Sequence, residues 1–439
     1  MQSPRTTESR LAIWTCRVLI FNVLGLLAMP VYVRGTGDWE DVYLSAAQRL
    51  HNRGELFELR TGYVYPPFGA MVAVPFTFMS RSAGLFAWAA LNSLAVVVVL
   101  VGAWRLSGGR ALPGRVGTTK ADYAAFWLGG LAAFGFMLDA AANWQTDLLI
   151  GAVLIGGCLL IASDRSIAGG LLIGLAAAFK CTPLLFVPYL VWKRRFCAAA
   201  VVVVAAFGLN LLPDLVYPPT DGPSRVVVWA NRFLTPLTEA DRDPGVWASG
   251  VDFNHSVAGG TLRWFAFDQA ESNGRFVSVP KAERQVSTSD LKRLNFAITA
   301  LLGLVALVAL WRRPSEITPG PVFAVEVGIV LTLMLLLSPM SSKPHFAVLI
   351  VPQLALVRLA CQTRDRWLLA LTAAVAIAGP CTGNDIIGRA AYDFLTWHGL
   401  IIGMTVLLFL GCCRARYRAV RADKPAVVVA VEPEMRRAA

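Results

Sequence analysis

Charge is what this 439-residue chain has least of. Asp, Glu, Lys and Arg together make up 15% of it, against roughly a quarter in ordinary soluble proteins. With 56% hydrophobic residues and a mean hydropathy of +0.58, a soluble globular or disordered chain is excluded. Histidine is also scarce: there are four, none at metal-ligand spacing. The eight cysteines fall mostly in or beside apolar runs and form no CxxC pair, so neither disulfides nor a metal cluster is expected. Adjacent Cys412 and Cys413 read as small apolar helix residues rather than palmitate acceptors. No segment repeats at a fixed period. The first 33 residues carry Arg5, Arg10 and Arg17 ahead of an apolar run without a small-residue cleavage site, which reads as a retained first helix.

What is present is a polytopic, all-α membrane protein. About 20 apolar residues span the hydrocarbon core. Runs of that kind lie near residues 13–33, 83–104, 121–139, 146–162, 196–217, 294–312, 320–338, 346–361, 366–380 and 398–413. Residues 66–80 are short and Pro-broken, and 166–192 is too long for one helix and interrupted at Lys180, Pro183 and Pro188. The expectation is a single transmembrane domain over residues 1–421, with a disordered cytoplasmic tail over 422–439.

The formal charge of +12 does not point to nucleic acid, because the basic residues cluster in short loops beside apolar runs, as the positive-inside rule produces. Residues 105–120, Lys193 to Arg195, Arg312-Arg313, Arg364 to Arg366 and Arg414 to Arg421 are then cytoplasmic. This holds if 66–80 is re-entrant and 166–192 turns back on itself; alternatively 66–80 crosses and the 105–120 loop breaks the rule. The outer segments are 34–67, the Asn143 to Gln145 turn, the bend at Lys180, the long loop 218–293, Ser338 to His345, and 381–397. They hold most of the uncommon polar residues.

In the first outer segment, Asp38, Glu40 and Asp41 precede a helical face of Trp39, Val42, Tyr43, Ala46, Ala47 and Leu50. Asp38 fits a helix N-cap as well as a catalytic carboxylate, and the two are compatible. Tyr63, Tyr65, Pro66 and Pro67 suit either a membrane-interface anchor or the edge of a sugar pocket. Asn143 and Gln145 occupy a turn between two apolar helices, with Asp139 and Asp147 on either side. A lysine at the bilayer centre costs roughly 2.5–3.5 kcal/mol, so Lys180 either snorkels or, at a Pro-broken bend near the outer surface, serves as a point charge for a lipid phosphate, the reading favoured here. Asn254-His255-Ser256 and the Ser338-to-His345 junction, with Lys343 and His345, offer further polar contacts.

In this order the segments resemble glycosyltransferase family 87, polyprenol-phosphate-mannose-dependent α-mannosyltransferases with the GT-C fold. The residues that carry the resemblance are Asp38 with Tyr43 and Ala46-Ala47, Tyr65-Pro66-Pro67, Asn143-x-Gln145, and Ala168-Gly169 through Lys180-x-x-Pro183 to Pro188-Tyr189. Asn254-x-Ser256 and Ser338-Pro339 to His345 complete the set. Trp39 stands where Phe is commoner, His255 where Gln is, and the last motif lacks the family's Trp and second His.

The resemblance implies a bundle of about 10–12 transmembrane helices in a bacterial plasma membrane, with the active site on the extracytoplasmic side. It also implies a hexosyltransferase moving mannose from a polyprenyl phosphate to a glycolipid or glycan hydroxyl. Asp38 is then the general base, and Tyr43, Tyr63, Tyr65, Asn143, Gln145, Lys180, Asn254, His255, Lys343 and His345 bind substrate, without a cofactor or metal. The competing expectation is a lipid or solute transporter or flippase, which would carry inverted halves and midplane polar sites.

Overall fold

A computed structural model describes residues 4–32, 37–57, 62–109, 118–220, 222–247, 250–272, 275–284, 286–311 and 317–422. Arg312, Arg313, residues 110–117 of the 105–120 loop and residues 423–439 of the expected tail lie outside that set. The first half comprises α1 (Pro4–Tyr32), α2 (Ser45–His51), α3 (Pro67–Ala73), α4 (Arg81–Leu106), α5 (Lys120–Ala142), α6 (Asp147–Ala162), α7 (Ser166–Phe179), α8 (Phe186–Trp192) and α9 (Phe196–Val216). The second comprises α10 (Arg225–Trp229), α11 (Val257–Ala266), α12 (Thr288–Leu310), α13 (Pro321–Leu336), α14 (Ile350–Thr363), α15 (Arg366–Ala378), α16 (Asn384–Ile387), α17 (Arg389–Trp397) and α18 (Leu400–Ala422).

Apolar helices dominate because a chain crossing lipid must satisfy its backbone hydrogen bonds within each segment. Among the described residues seven helices are long and apolar enough to cross alone: Ala12–Tyr32, α4, α5, α9, α12, Lys343–Thr363 and Leu400–Ala419. Shorter apolar helices fill the bundle between them, including α6, α7, Thr182–Trp192 and α13.

Contacts decide the two ambiguous stretches. Arg81, which opens α4, pairs with Glu40 of the first polar segment at 2.7 Å, and Phe78 packs on His51 with ring centroids 5.1 Å apart. Residues 67–80 therefore enter and leave on one face. For 166–192, α7 and α9 run parallel. A Cβ added at Gly170 would lie 2.8 Å from the Ala198 carbonyl oxygen, one at Gly174 would lie 2.6 Å from the Ala205 Cβ, and Asn210 Nδ2 donates to the Ala178 carbonyl at 3.2 Å. Two parallel helices joined by Thr182–Trp192 require that segment to run back the other way. Glycines let these backbones approach, as in other membrane helix pairs.

The long loop is more structured than its sequence suggests. It contains α10, α11 and an antiparallel hairpin, β1 (Phe267–Ser272) with β2 (Arg275–Pro280), whose register runs from Phe267↔Pro280 to Ser272↔Arg275. Asn273-Gly274 between the strands is the sequence signal that marks such a hairpin. Trp229 of α10 donates its indole N–H to the Val64 carbonyl at 3.0 Å, and Phe233 joins Trp39, Tyr43, Phe57, Tyr63, Trp88 and Trp144 in a separate aromatic core.

On the opposite side of the bundle, Glu326 of α13 is 1% exposed. It accepts from Arg416 at 2.5 Å and Tyr189 at 2.7 Å, and pairs with Lys193 at 2.8 Å. Removing one partner of a buried pair costs about 3–5 kcal/mol. Glu326→Leu is therefore expected to lower the melting temperature in detergent markedly, and unchanged melting would show that these cations are not held by Glu326.

Candidate active site

The site is organised by the turn between α5 and α6. Trp144 N–H donates to the Ala141 carbonyl at 3.0 Å and Gln145 N–H to the Ala140 carbonyl at 2.9 Å, closing a Schellman motif. The left-handed position that glycine usually fills is occupied by Trp144, with φ 55°, at a cost of roughly 1–2 kcal/mol. Buried surroundings hold it there: the Trp88 indole donates to the Trp144 carbonyl at 3.2 Å, and Trp88 itself stacks on Trp39 at 3.8 Å. This turn grips Asp38 twice. The Asp38 backbone N–H donates to the Asn143 carbonyl at 3.3 Å, and Gln145 Nε2 donates to the Asp38 carboxylate.

Asp38 is not a helix cap. Its backbone is helical (φ −71°, ψ −11°), and its side chain makes no capping bond to the π-helical turn Trp39–Leu44 that follows. The carboxylate is turned to Gln145 instead. Burial raises Asp38 above the ordinary carboxylate range, while the Gln145 hydrogen bond and Lys180 pull it back. Glu40 is engaged by Arg81, leaving Asp38 as the carboxylate of this segment that faces the turn.

Around it, Tyr43 is buried, with its hydroxyl 3.0 Å from Thr146 Oγ1 and its ring stacked on Tyr65 at 5.2 Å. Burial pushes Tyr43 well above the usual phenol range, so it stays protonated. Lys180 Nζ lies 5.0 Å from the Tyr65 ring centroid and 2.7 Å from Asp147 Oδ1. His345 Nε2 is 3.7 Å from the same oxygen. Asp147, Lys180, Ser341 and His345 line a small cleft of ≈ 30 Å³, with Ile150, Leu154 and Leu335 among the apolar residues of its walls.

The structure does not bring every expected residue to this cleft. Tyr63 is buried and donates to the Pro66 carbonyl at 2.8 Å, so it holds the segment's shape. Asn143 is exposed, with its amide on the Asp139 carbonyl at 3.0 Å. Lys343 pairs with Asp139 at 3.0 Å and lies over Tyr392 at 5.0 Å.

Asn254 is 1% exposed. It donates to Gly245 at 3.0 Å and Pro339 at 2.8 Å, and accepts from Ser256 N and Ser341 N, both at 3.1 Å. It clamps the long loop to the 338–345 junction and has no hydrogen-bonding capacity left for a ligand. His255 donates its backbone N–H to Ser341 at 2.8 Å; burial first, then Arg263 and Lys343, hold its ring well below the ordinary histidine range. Neutral at physiological pH, it adds no positive charge. Sequence reasoning noted Asp147 without giving it a role, and missed Trp144, Thr146 and Trp88. A carboxylate at the start of an apolar helix was the signal for Asp147. Among the described residues, no group of three or more His, Cys, Asp or Glu is placed to hold a metal.

Fold and site define a class: a polytopic membrane protein with a shielded carboxylate and a cleft holding a Lys180–Asp147 ion pair on one face of its bundle. The chain belongs to glycosyltransferase family 87, whose family model matches residues 63–339; it is a membrane glycosyltransferase. It is 26% identical over 95% of its length to the polyprenol-phosphate-mannose-dependent alpha-(1-2)-phosphatidylinositol pentamannoside mannosyltransferase of Mycobacterium tuberculosis, covering 90% of that protein. It is likewise 26% identical over 90% of its length to the protein of the same name in Mycolicibacterium smegmatis, covering 89% of it. Over 36% of its length it is 28% identical to GPI mannosyltransferase 1 of Aspergillus fumigatus, covering 38% of it. The transporter alternative has no support in these relationships.

Gly37, just ahead of Asp38, has φ +47°, and a Cβ there would lie 2.7 Å from the Asn143 carbonyl oxygen. Gly37→Ala must shift the Asp38 backbone, and a misplacement of about 1 Å costs on the order of 10²-fold in rate. Transfer activity is expected to fall by about that factor with melting nearly unchanged. Wild-type activity in this variant would show that the turn does not position Asp38.

Proposed function

We infer that the protein moves a mannosyl group from a polyprenyl-phosphate donor to a hydroxyl of a glycolipid or glycan acceptor, in a single displacement that inverts the anomeric carbon. The observation that carries this reading is the pairing, on one face, of a positioned, partly buried Asp38 with the Lys180–His345 cleft. The names of the mycobacterial relatives supply the donor class.

In this mechanism Asp38 takes the proton of the acceptor hydroxyl. The oxygen attacks the anomeric carbon from the face opposite the phosphate, the carbon–oxygen bond to phosphate breaks, and polyprenyl phosphate leaves as a monoester. One base suffices because the phosphate is a good leaving group. Lys180, with His345 beside it, meets the charge that develops on the departing oxygen. Tyr65 stacks on Tyr43 and lies beside Lys180, and Gln145 aims the carboxylate. The basic ends of the helices lie on the other side, where Arg195 pairs with Asp164 at 2.7 Å and Arg414 with Asp365 at 3.2 Å. The positive-inside rule then faces the site away from the cytoplasm, in a bacterial plasma membrane. The chemistry as proposed uses no metal or cofactor.

A positioned base contributes on the order of 10²- to 10⁴-fold. Asp38→Asn and Asp38→Ala are expected to lose that much transfer from radiolabelled polyprenyl-phosphate mannose, and full activity in both would overturn the assignment. The pH dependence follows in sign. Burial raises Asp38, so the acid limb of kcat/KM lies above the free-carboxylate value of about 3.9. Gln145→Leu removes a hydrogen bond to the charged form, raises Asp38 further and moves the limb to higher pH. A limb that stays in place or moves down contradicts this.

A further inference from the structure

Asp147 is the charged group in the cleft to which neither the proposed chemistry nor the sequence assigns a task. It is 7% exposed and stands between the two groups assigned to the phosphate. Its Oδ1 lies 2.7 Å from Lys180 Nζ and 3.7 Å from His345 Nε2. Its Oδ2 is buried and, among the described residues, has no hydrogen-bond partner, although the carboxylate lines the cleft. A carboxylate whose only purpose was to neutralise a buried lysine would have both oxygens satisfied, as Glu326 does. Glu326 Oε1 takes Arg416, and its Oε2 takes Tyr189 and Lys193.

Charge accounting supplies a task. The donor is a phosphodiester with one negative charge, whereas the leaving monoester carries about −1.5 to −2 at neutral pH. A cleft whose only charge was the Lys180 ammonium would bind its product more tightly than its substrate and stall. A fixed negative charge at the same place repels each ligand in proportion to that ligand's charge, so it weakens the product more than the donor.

We propose that Asp147 is a positioning and release residue: its carboxylate holds Lys180 and His345 in place while the cleft is empty, and it repels the phosphomonoester once transfer has made it. This rests on the reading that Lys180 and His345 receive the donor phosphate. Asp147 touches no reacting atom. It acts through Lys180 and through the field in the cleft.

The test uses the purified full chain with polyprenyl phosphate as inhibitor and polyprenyl-phosphate mannose as substrate. In Asp147→Asn, inhibition by polyprenyl phosphate is expected to tighten about ten-fold and the donor KM to fall only about three-fold, because the ligand charges differ by a factor of nearly two. kcat falls as release slows. Asp147→Glu keeps the charge and the wild-type ratio of the two constants. Inhibition that weakens or stays unchanged in a folded Asp147→Asn overturns the proposal.

A second measurement needs no variant. In the wild-type enzyme, a polyprenyl methyl phosphate diester is expected to inhibit at least as well as the monoester. A monoester that binds about ten-fold tighter, as Lys180 alone would give, overturns the proposal. Lys180→Ala separates the two layers. If it leaves inhibition by polyprenyl phosphate unchanged, the phosphate reading itself fails. If it weakens inhibition while Asp147→Asn does not tighten it, only the role of Asp147 fails.

Discussion

Two hydrogen bonds from a single turn hold the carboxylate on which the chemistry depends. The Asn143 carbonyl takes the Asp38 backbone N–H, and the Gln145 amide takes its side chain. A glycine at position 144 could follow the same left-handed path, but only Trp144 ties the turn to the aromatic core through its indole. The backbone strain at Trp144 is offset by packing: stacked aromatic pairs such as Trp39 on Trp88 are worth about 0.5–1.5 kcal/mol beyond their buried area. Strain of this kind persists where the surroundings over-determine it, and such places are often functional.

The bundle contains two buried ionic clusters of similar composition and opposite character. Glu326 closes on Arg416, Lys193 and Tyr189 and ties α13, α18 and the end of α8 together, on the side of the basic loops. Asp147, Lys180 and His345 line a cleft, and one carboxylate oxygen is left over. The first arrangement is complete without a ligand. The second stays open to the cleft, and it lies on the face that carries Asp38, with Lys180 within electrostatic reach of that carboxylate.

Much of this was legible in the sequence, for physical reasons. Apolar runs of membrane length identify helices because lipid permits little else, and of the face read from the spacing of Trp39, Val42, Tyr43, Ala46, Ala47 and Leu50, all but the half-buried Val42 are buried. The bend at Lys180 was visible in its prolines. Side-chain partnerships were not legible, because they join residues far apart in the chain. Nothing local distinguishes an Asp38 that caps a helix from one that faces Gln145. Asn254 reads as a polar loop residue until its four bonds show it holding Pro339 and Ser341. Tyr63 reads as a pocket edge until its hydroxyl is found on Pro66. Glu326 went unnoticed inside an apolar run because its partners lie in two other helices.

The central claim is a single displacement driven by one base, and the configuration of the product tests it most directly. Polyprenyl β-phosphomannose would be given to the purified full chain, and the anomeric centre of the new glycoside read by NMR. The account predicts the α-anomer alone. A β-linked product would require a double displacement through a covalent intermediate and would contradict it.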